Sequence, residues 1–151
     1  MTIVLERVNE SPPAHPFEVQ PHHCGLSVPD LDASIAWYRE ALGFALEMRQ
    51  EMSHVPLRGA FLRRGQFCIE LFEVSGAAPL PPQRREVDED LRTHGTKHVA
   101  LAVPDVRRAL DFLRARGVEV AMEPVEVEGM VACYIRDNSG ILIELVQCQP
   151  A

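Results

Sequence analysis

His23-Cys-Gly-Leu-Ser-Val-Pro-Asp30 decides the fold, because the chain contains it twice. It returns as His98-Val-Ala-Leu-Ala-Val-Pro-Asp105, 75 residues further on. A second repeat follows: Cys68-Ile-Glu-Leu71 returns as Leu142-Ile-Glu-Leu145. Each half therefore opens on a histidine and closes on a glutamate. Phe61-Leu62-Arg63 and Tyr134-Ile135-Arg136 also correspond, as do Trp37 and Phe112. The period is too long, and two copies too few, for a solenoid array. Two half-domains sharing one core fit it.

The elements around the repeat can be read from spacing. Residues 22–28 alternate as a strand, which Pro29-Asp30 stops; Asp30 is a ready N-cap. Leu31, Ser34, Ile35, Tyr38 and Leu42 follow at helical spacing, and Gly43 ends the helix. Strands are expected over 44–51, 57–63 and 67–74. The second half repeats the order: strand 97–103, helix 106–116 ended by Gly117, and strands 118–126, 130–136 and 141–147. This divides the chain into an extended arm (1–19), module 1 (20–74), a linker (75–95) and module 2 (96–148). The arm carries Pro12, Pro13 and Pro16, with Ile3-Val4-Leu5 a candidate strand. The linker carries Gly76, Pro79, Pro81, Pro82 and a charged run from Arg84 to Arg92. It reads as a solvated surface segment with one helical turn.

Composition excludes several classes. The 151 residues suit one compact domain, and a net charge of −7 would repel a nucleic-acid backbone. No apolar run approaches the roughly 20 residues that cross a bilayer. The N-terminus lacks the pattern of a secretory signal, so a cytoplasmic location is the default. The cysteines Cys24, Cys68, Cys133 and Cys148 form no C-x-x-C and read as reduced thiols.

Strand alternation places His23, Gly25 and Ser27 on one face, and His98, Ala100 and Ala102 on its copy. Both histidines thus have tiny neighbours. Glu70 and Glu144 point away from the aliphatic faces of their strands, Ile69/Leu71 and Ile143/Leu145. A carboxylate inside an apolar strand is costly unless something compensates it. One divalent cation would compensate both, since two carboxylates and two neutral imidazoles balance its charge. His23, Glu70, His98 and Glu144 are therefore expected to meet around a metal. His22 aligns with Lys97, and alternation sends it to the other face, so it is not expected as a ligand. His15, His54 and His94 read as surface residues.

These residues resemble the vicinal oxygen chelate superfamily, which includes glyoxalase I, methylmalonyl-CoA epimerase, extradiol dioxygenases, and fosfomycin and bleomycin resistance proteins. The resemblance covers roughly residues 20–147. It rests on the His-x-x-Leu-x-Val-Pro-Asp openings, on Trp37-Tyr38 with Leu42-Gly43-Phe44, and on the Ile-Glu-Leu closings. It implies an α+β fold of two tandem βαβββ modules, forming an open, curved, mixed-sheet half-barrel. It also implies the metal ligands His23, Glu70, His98 and Glu144. Extradiol dioxygenases match only His23, His98 and Glu144; Glu70 would occupy a place that oxygen chemistry wants free. The segment from Val55 to Leu71 is similar to that of epimerases. The ending from Arg136 to Glu144 is the generic one and lacks their longer loop.

The leading expectation is a glyoxalase- or epimerase-type proton transfer next to the carbonyl of a small substrate or thioester. The ion, Zn, Ni, Co, Mn or Fe(II), would offset the charge that develops on oxygen. Glu144 first, and Glu70 second, would carry the proton. Fe(II)-dependent ring cleavage is the alternative, and ligand sequestration without turnover a second one. Arg58, Arg63, Arg64 and Arg136 are candidate anion holders, with Arg58 on the opposite face from Arg63. Glu47, Glu51 and His54 are further acid–base candidates. The expected partner is a small molecule, with neither nucleic acid nor membrane, and a homodimer is expected.

Overall fold

The computed structural model describes residues 6 and 8–148, so Ile3-Val4-Leu5 lies outside the described residues. The first half runs β1 (Cys24–Ser27), α1 (Leu31–Leu42), β2 (Ala45–Met52), β3 (Leu57–Arg64) and β4 (Phe67–Val74). After a 3-10 turn (Pro82–Arg85) and α2 (Val87–Asp90), the second half runs β5 (Val99–Ala102), α3 (Val106–Arg114), β6 (Val120–Val127), β7 (Met130–Arg136) and β8 (Leu142–Gln147). Each half is thus a βαβββ module, and the fold is α+β. The two open sheets have the orders β1-β4-β3-β2 and β5-β8-β7-β6. In each, the first strand pairs in parallel with the last, and the other pairs are antiparallel. The parallel register sets Gly25 opposite Glu70 and Ala100 opposite Glu144.

The caps are those the sequence signals. The Asp30 side chain accepts from the Ala33 N–H at 2.9 Å, and Asp105 accepts from Arg108 at 2.9 Å. Gly43 ends α1 at φ 68°, where a side chain would be strained. Helix α3 is shorter than expected. The Arg116 N–H turns back to the Leu113 carbonyl and the Gly117 N–H to that of Arg114, so the last turn tightens before Gly117. The opening strands are shorter too. Pairing starts at Cys24 and at Val99, so both histidines stand just ahead of their strands.

The linker departs from expectation in one respect. Asp90, in its charged run, is only 1% exposed. Such a carboxylate needs charge partners. Arg84 supplies one at 2.5 Å, and the Lys97 ammonium, 3.4 Å from the carboxylate, also donates to the Asp90 carbonyl at 2.6 Å. The linker is therefore tied to the residue just before His98.

One buried cluster spans both modules. It takes Leu31, Ile35 and Leu42 from α1, Leu62, Ile69 and Leu71 from the first sheet, and Val106, Leu110, Ile135 and Leu145 from the second module. Its polar joint is Tyr38, fully buried, whose hydroxyl donates to Asp137 at 2.9 Å. Asp137 also accepts from the Ser139 and Ile141 N–H groups. Burial pushes its carboxyl upward against these bonds. Among the described residues, all four cysteines are free and no helix is long and apolar enough to cross a membrane. Tyr38→Phe should leave a buried carboxylate oxygen short of a donor and cost about 1–3 kcal/mol. Urea unfolding at neutral pH measures this, and an unchanged midpoint would show that the joint contributes nothing.

Candidate metal centre

The four residues come together as two pairs. His23 Nε2 lies 3.0 Å from Glu70 Oε2, and His98 Nε2 lies 3.1 Å from Glu144 Oε2. The expected single quartet is not formed within the chain. Among the described residues, no three His, Cys, Asp or Glu side chains converge as metal ligands. The pairs belong to different sheets, each beside an edge strand, β1 or β5. They remain accessible: the side chains of His23 and His98 are 35% and 27% exposed.

Each half-site is built the same way. The parallel pairing of the first and last strands brings histidine and glutamate to one face. An antiparallel rung then sets an aromatic residue opposite the carboxylate: Phe61 opposite Glu70, and Tyr134 opposite Glu144. Each ring stands edge-on to the histidine of its half-site. Phe61 is 5.6 Å from the His23 ring, and Tyr134 is 5.0 Å from that of His98. The small neighbours serve a purpose. A Cβ on Gly25 would come within 2.9 Å of the Phe72 ring.

Two polar residues outside the expected ligand set stand beside the site. Gln50 donates its amide to Glu70 Oε1 at 2.6 Å. Its signal was the face it shares with Met48 and Met52 on β2, opposite Arg49 and Glu51. His22 is the other. Since β1 begins only at Cys24, strand alternation does not govern His22, and its Nδ1 lies 2.6 Å from Nδ1 of His23. A hydrogen bond there leaves His23 Nε2 facing Glu70.

The arginine candidates are engaged elsewhere. Arg58 pairs with Glu73 and Asp32, on the face away from the site; it holds the Glu73 carboxyl below its usual range, and Arg49, with Arg58 behind it, does the same for Asp32. Arg63 grips Glu47 through two bonds, which also removes Glu47 as a free base. Arg64 donates to the Leu42 carbonyl. Arg136 is buried and bonded to Glu119, Glu86 and the Arg85 carbonyl. His15, His54 and His94 are exposed, as expected, and so is Glu51.

The donor set fits a divalent ion of the borderline type. Two donors each about 2.1 Å from one ion, and at right angles, lie roughly 3 Å apart, which is the spacing in both pairs. Two ligands per half-site leave most of a coordination sphere open.

A family model described as the Glyoxalase/Bleomycin resistance protein/Dioxygenase superfamily matches residues 20–145. The chain belongs to this superfamily. Among its relatives is a "Probable lactoylglutathione lyase" of Vibrio cholerae, 30% identical over 131 residues, covering 85% of this chain and 91% of that protein. A "2-epi-5-epi-valiolone epimerase" of Actinomyces sp is 30% identical over 152 residues, covering 87% and 80%. The chain spans only 35% of a chloroplastic "Probable lactoylglutathione lyase" of Arabidopsis thaliana, to which it is 31% identical. A glyoxalase family protein from Bacillus cereus shares the fold, with a TM-score of 0.72 at 24% identity over 89% of this chain and 97% of that one. These relatives are named as lyases and an epimerase, so an enzyme of this superfamily's type is the coarse functional assignment.

Tyr134 gives a direct probe of the second half-site. Burial, then the Glu144 carboxylate, pushes its phenol up to about 12. Tyr38 is raised further by burial and Asp137, and the chain has no other tyrosine. Without metal, tyrosinate absorbance should stay flat through about pH 10, where the unfolded chain titrates. The folded state then holds more protons than the unfolded one, so stability falls as pH climbs from about 10 toward about 12. A tyrosine ionising near 10 in the folded protein would contradict this placement.

Proposed function

We propose that the chain is a divalent-metal-dependent enzyme of the glyoxalase I or epimerase type, moving a proton next to the carbonyl of a small substrate or thioester. His23 and Glu70 would hold the ion from module 1, and His98 and Glu144 from module 2. The observation that carries this reading is the matched pair of imidazole–carboxylate contacts, at 3.0 and 3.1 Å. Because the pairs do not join within one chain, we infer that a homodimer completes the centre, with each half-site facing its counterpart on a second copy.

When bound, the ion (Zn, Ni, Co, Mn or Fe(II)) would act as a Lewis acid toward the substrate oxygen. The chain does the rest. Gly25, Ser27, Ala100 and Ala102 are small and exposed, and leave room for substrate over the sheet faces. Phe61, Phe72, Met48 and Met130 give those faces an apolar lining that limits water. Glu144 takes the proton from one carbon and returns it to the next, with Glu70 second in line. A carboxylate is a better base when it swings free of a cation, and the Glu144 side chain is the more exposed of the two, 18% against 12% for Glu70. The free thiols fit a reducing cytoplasm.

Metal analysis after chelator-free purification should find one ion per chain. A panel of glutathione–methylglyoxal hemithioacetal, methylmalonyl-CoA and a catechol should show isomerisation without oxygen uptake. Oxygen consumption with Fe(II) and catechol would replace this reading with ring cleavage, and an absence of metal would favour sequestration. Glu144→Gln should lower turnover about 10²- to 10⁴-fold while metal stays bound. Near-normal turnover would remove Glu144 from the role.

A further inference from the structure

Besides the exchange of Phe61 for Tyr134, the two half-sites differ in a neighbouring rung of their sheets. In module 1, Gln50 on β2 pairs with Gly59 on β3, one rung beyond the Met48–Phe61 pair. In module 2, Met122 pairs with Tyr134, and past a break in register at Glu123 and Pro124 the next pair is Val125 with Ala132. Both members of the rung therefore change together: glutamine and glycine in one half, valine and alanine in the other. The change has a steric logic. A Cβ on Gly59 would lie 2.9 Å from both Cγ and Nε2 of Gln50, and 3.2 Å from the Leu71 carbonyl oxygen. Gly59 is the space into which the glutamine folds. From there the amide reaches Glu70 at 2.6 Å, on the oxygen not facing His23. Val125 has no amide to reach Glu144, whose polar neighbour on the facing strand is instead the Tyr134 phenol.

We propose that Gln50, seated against Gly59, is a positioning residue that fixes Glu70 in its orientation toward His23, so that module 1 supplies a preset pair of ligands. This rests on the proposed metal-binding function. The amide occupies one carboxylate oxygen and so leaves the other to be shared with the imidazole. Glu70 then pays little ordering entropy on binding an ion, which is how partners behind the ligands raise affinity.

The test is Zn(II) affinity of the full chain by competition with a chelating dye, alongside thermal melting of the metal-free protein. The variants are Gln50→Met, Gly59→Ala and the double substitution. Gln50→Met keeps the length and loses the donor, and should weaken Zn(II) binding about tenfold, within the range typical of such partners. Gly59→Ala should displace the glutamine and weaken binding similarly. The double variant should bind no more weakly than the worse single, because both act through one contact. Val125→Ala, its counterpart, should leave affinity unchanged. Unchanged affinity in Gln50→Met, or a lower melting temperature without an affinity loss, would overturn the inference while leaving the proposed function standing. If the wild-type chain binds no Zn(II), both fall together.

Discussion

A carboxylate in the middle of an apolar strand must be compensated, and the rest of the structure follows from how this chain does it. Glu70 and Glu144 sit in the closing strands of their sheets, flanked by core aliphatics. In each case the compensation comes from a histidine that the parallel first strand delivers to the same face. The aromatic opposite and the small residue beside each carboxylate, Gly25 or Ala100, keep that face open. Duplication supplies the arrangement twice. Neither copy alone has enough ligands to hold an ion firmly.

The modules are joined through the core and the linker. The shared apolar cluster and the Tyr38–Asp137 hydrogen bond tie α1 to the turn between β7 and β8. The linker is pinned by Arg136 through the Arg85 carbonyl and Glu86, and by Lys97 through Asp90. These contacts consume the cations that a reading of strand faces offers as substrate-binding groups. Arg58, Arg63 and Arg136 have structural work, and the site faces are apolar rather than cationic.

Much of this was legible in the sequence. The repeated octapeptide fixed both helix starts through Asp30 and Asp105, and the paired Ile-Glu-Leu segments placed the closing strands. The repeat marked His23, Glu70, His98 and Glu144 as the residues to meet, but as one quartet rather than as two pairs. Three things were not legible. The beginning of a strand depends on its partner's register, so His22 was judged by an alternation that does not reach it. The contact of Gln50 with Glu70 depends on the space at Gly59, two strands in, which no local pattern reveals. The distance between the half-sites is a property of how whole modules pack, and the repeat fixes the modules without fixing their mutual placement.

The central claim is that each metal centre combines the module 1 pair of one chain with the module 2 pair of a second. Mixing two variants by refolding tests it most directly: one carries His23→Ala and Glu70→Ala, the other His98→Ala and Glu144→Ala. Shared centres predict that the mixture regains Zn(II) sites, to about a quarter of the wild-type number, because each mixed dimer holds one intact centre and about half of the dimers are mixed. A mixture as devoid of sites as its components, with mixed dimers formed, would contradict the claim and place all four ligands within a single chain.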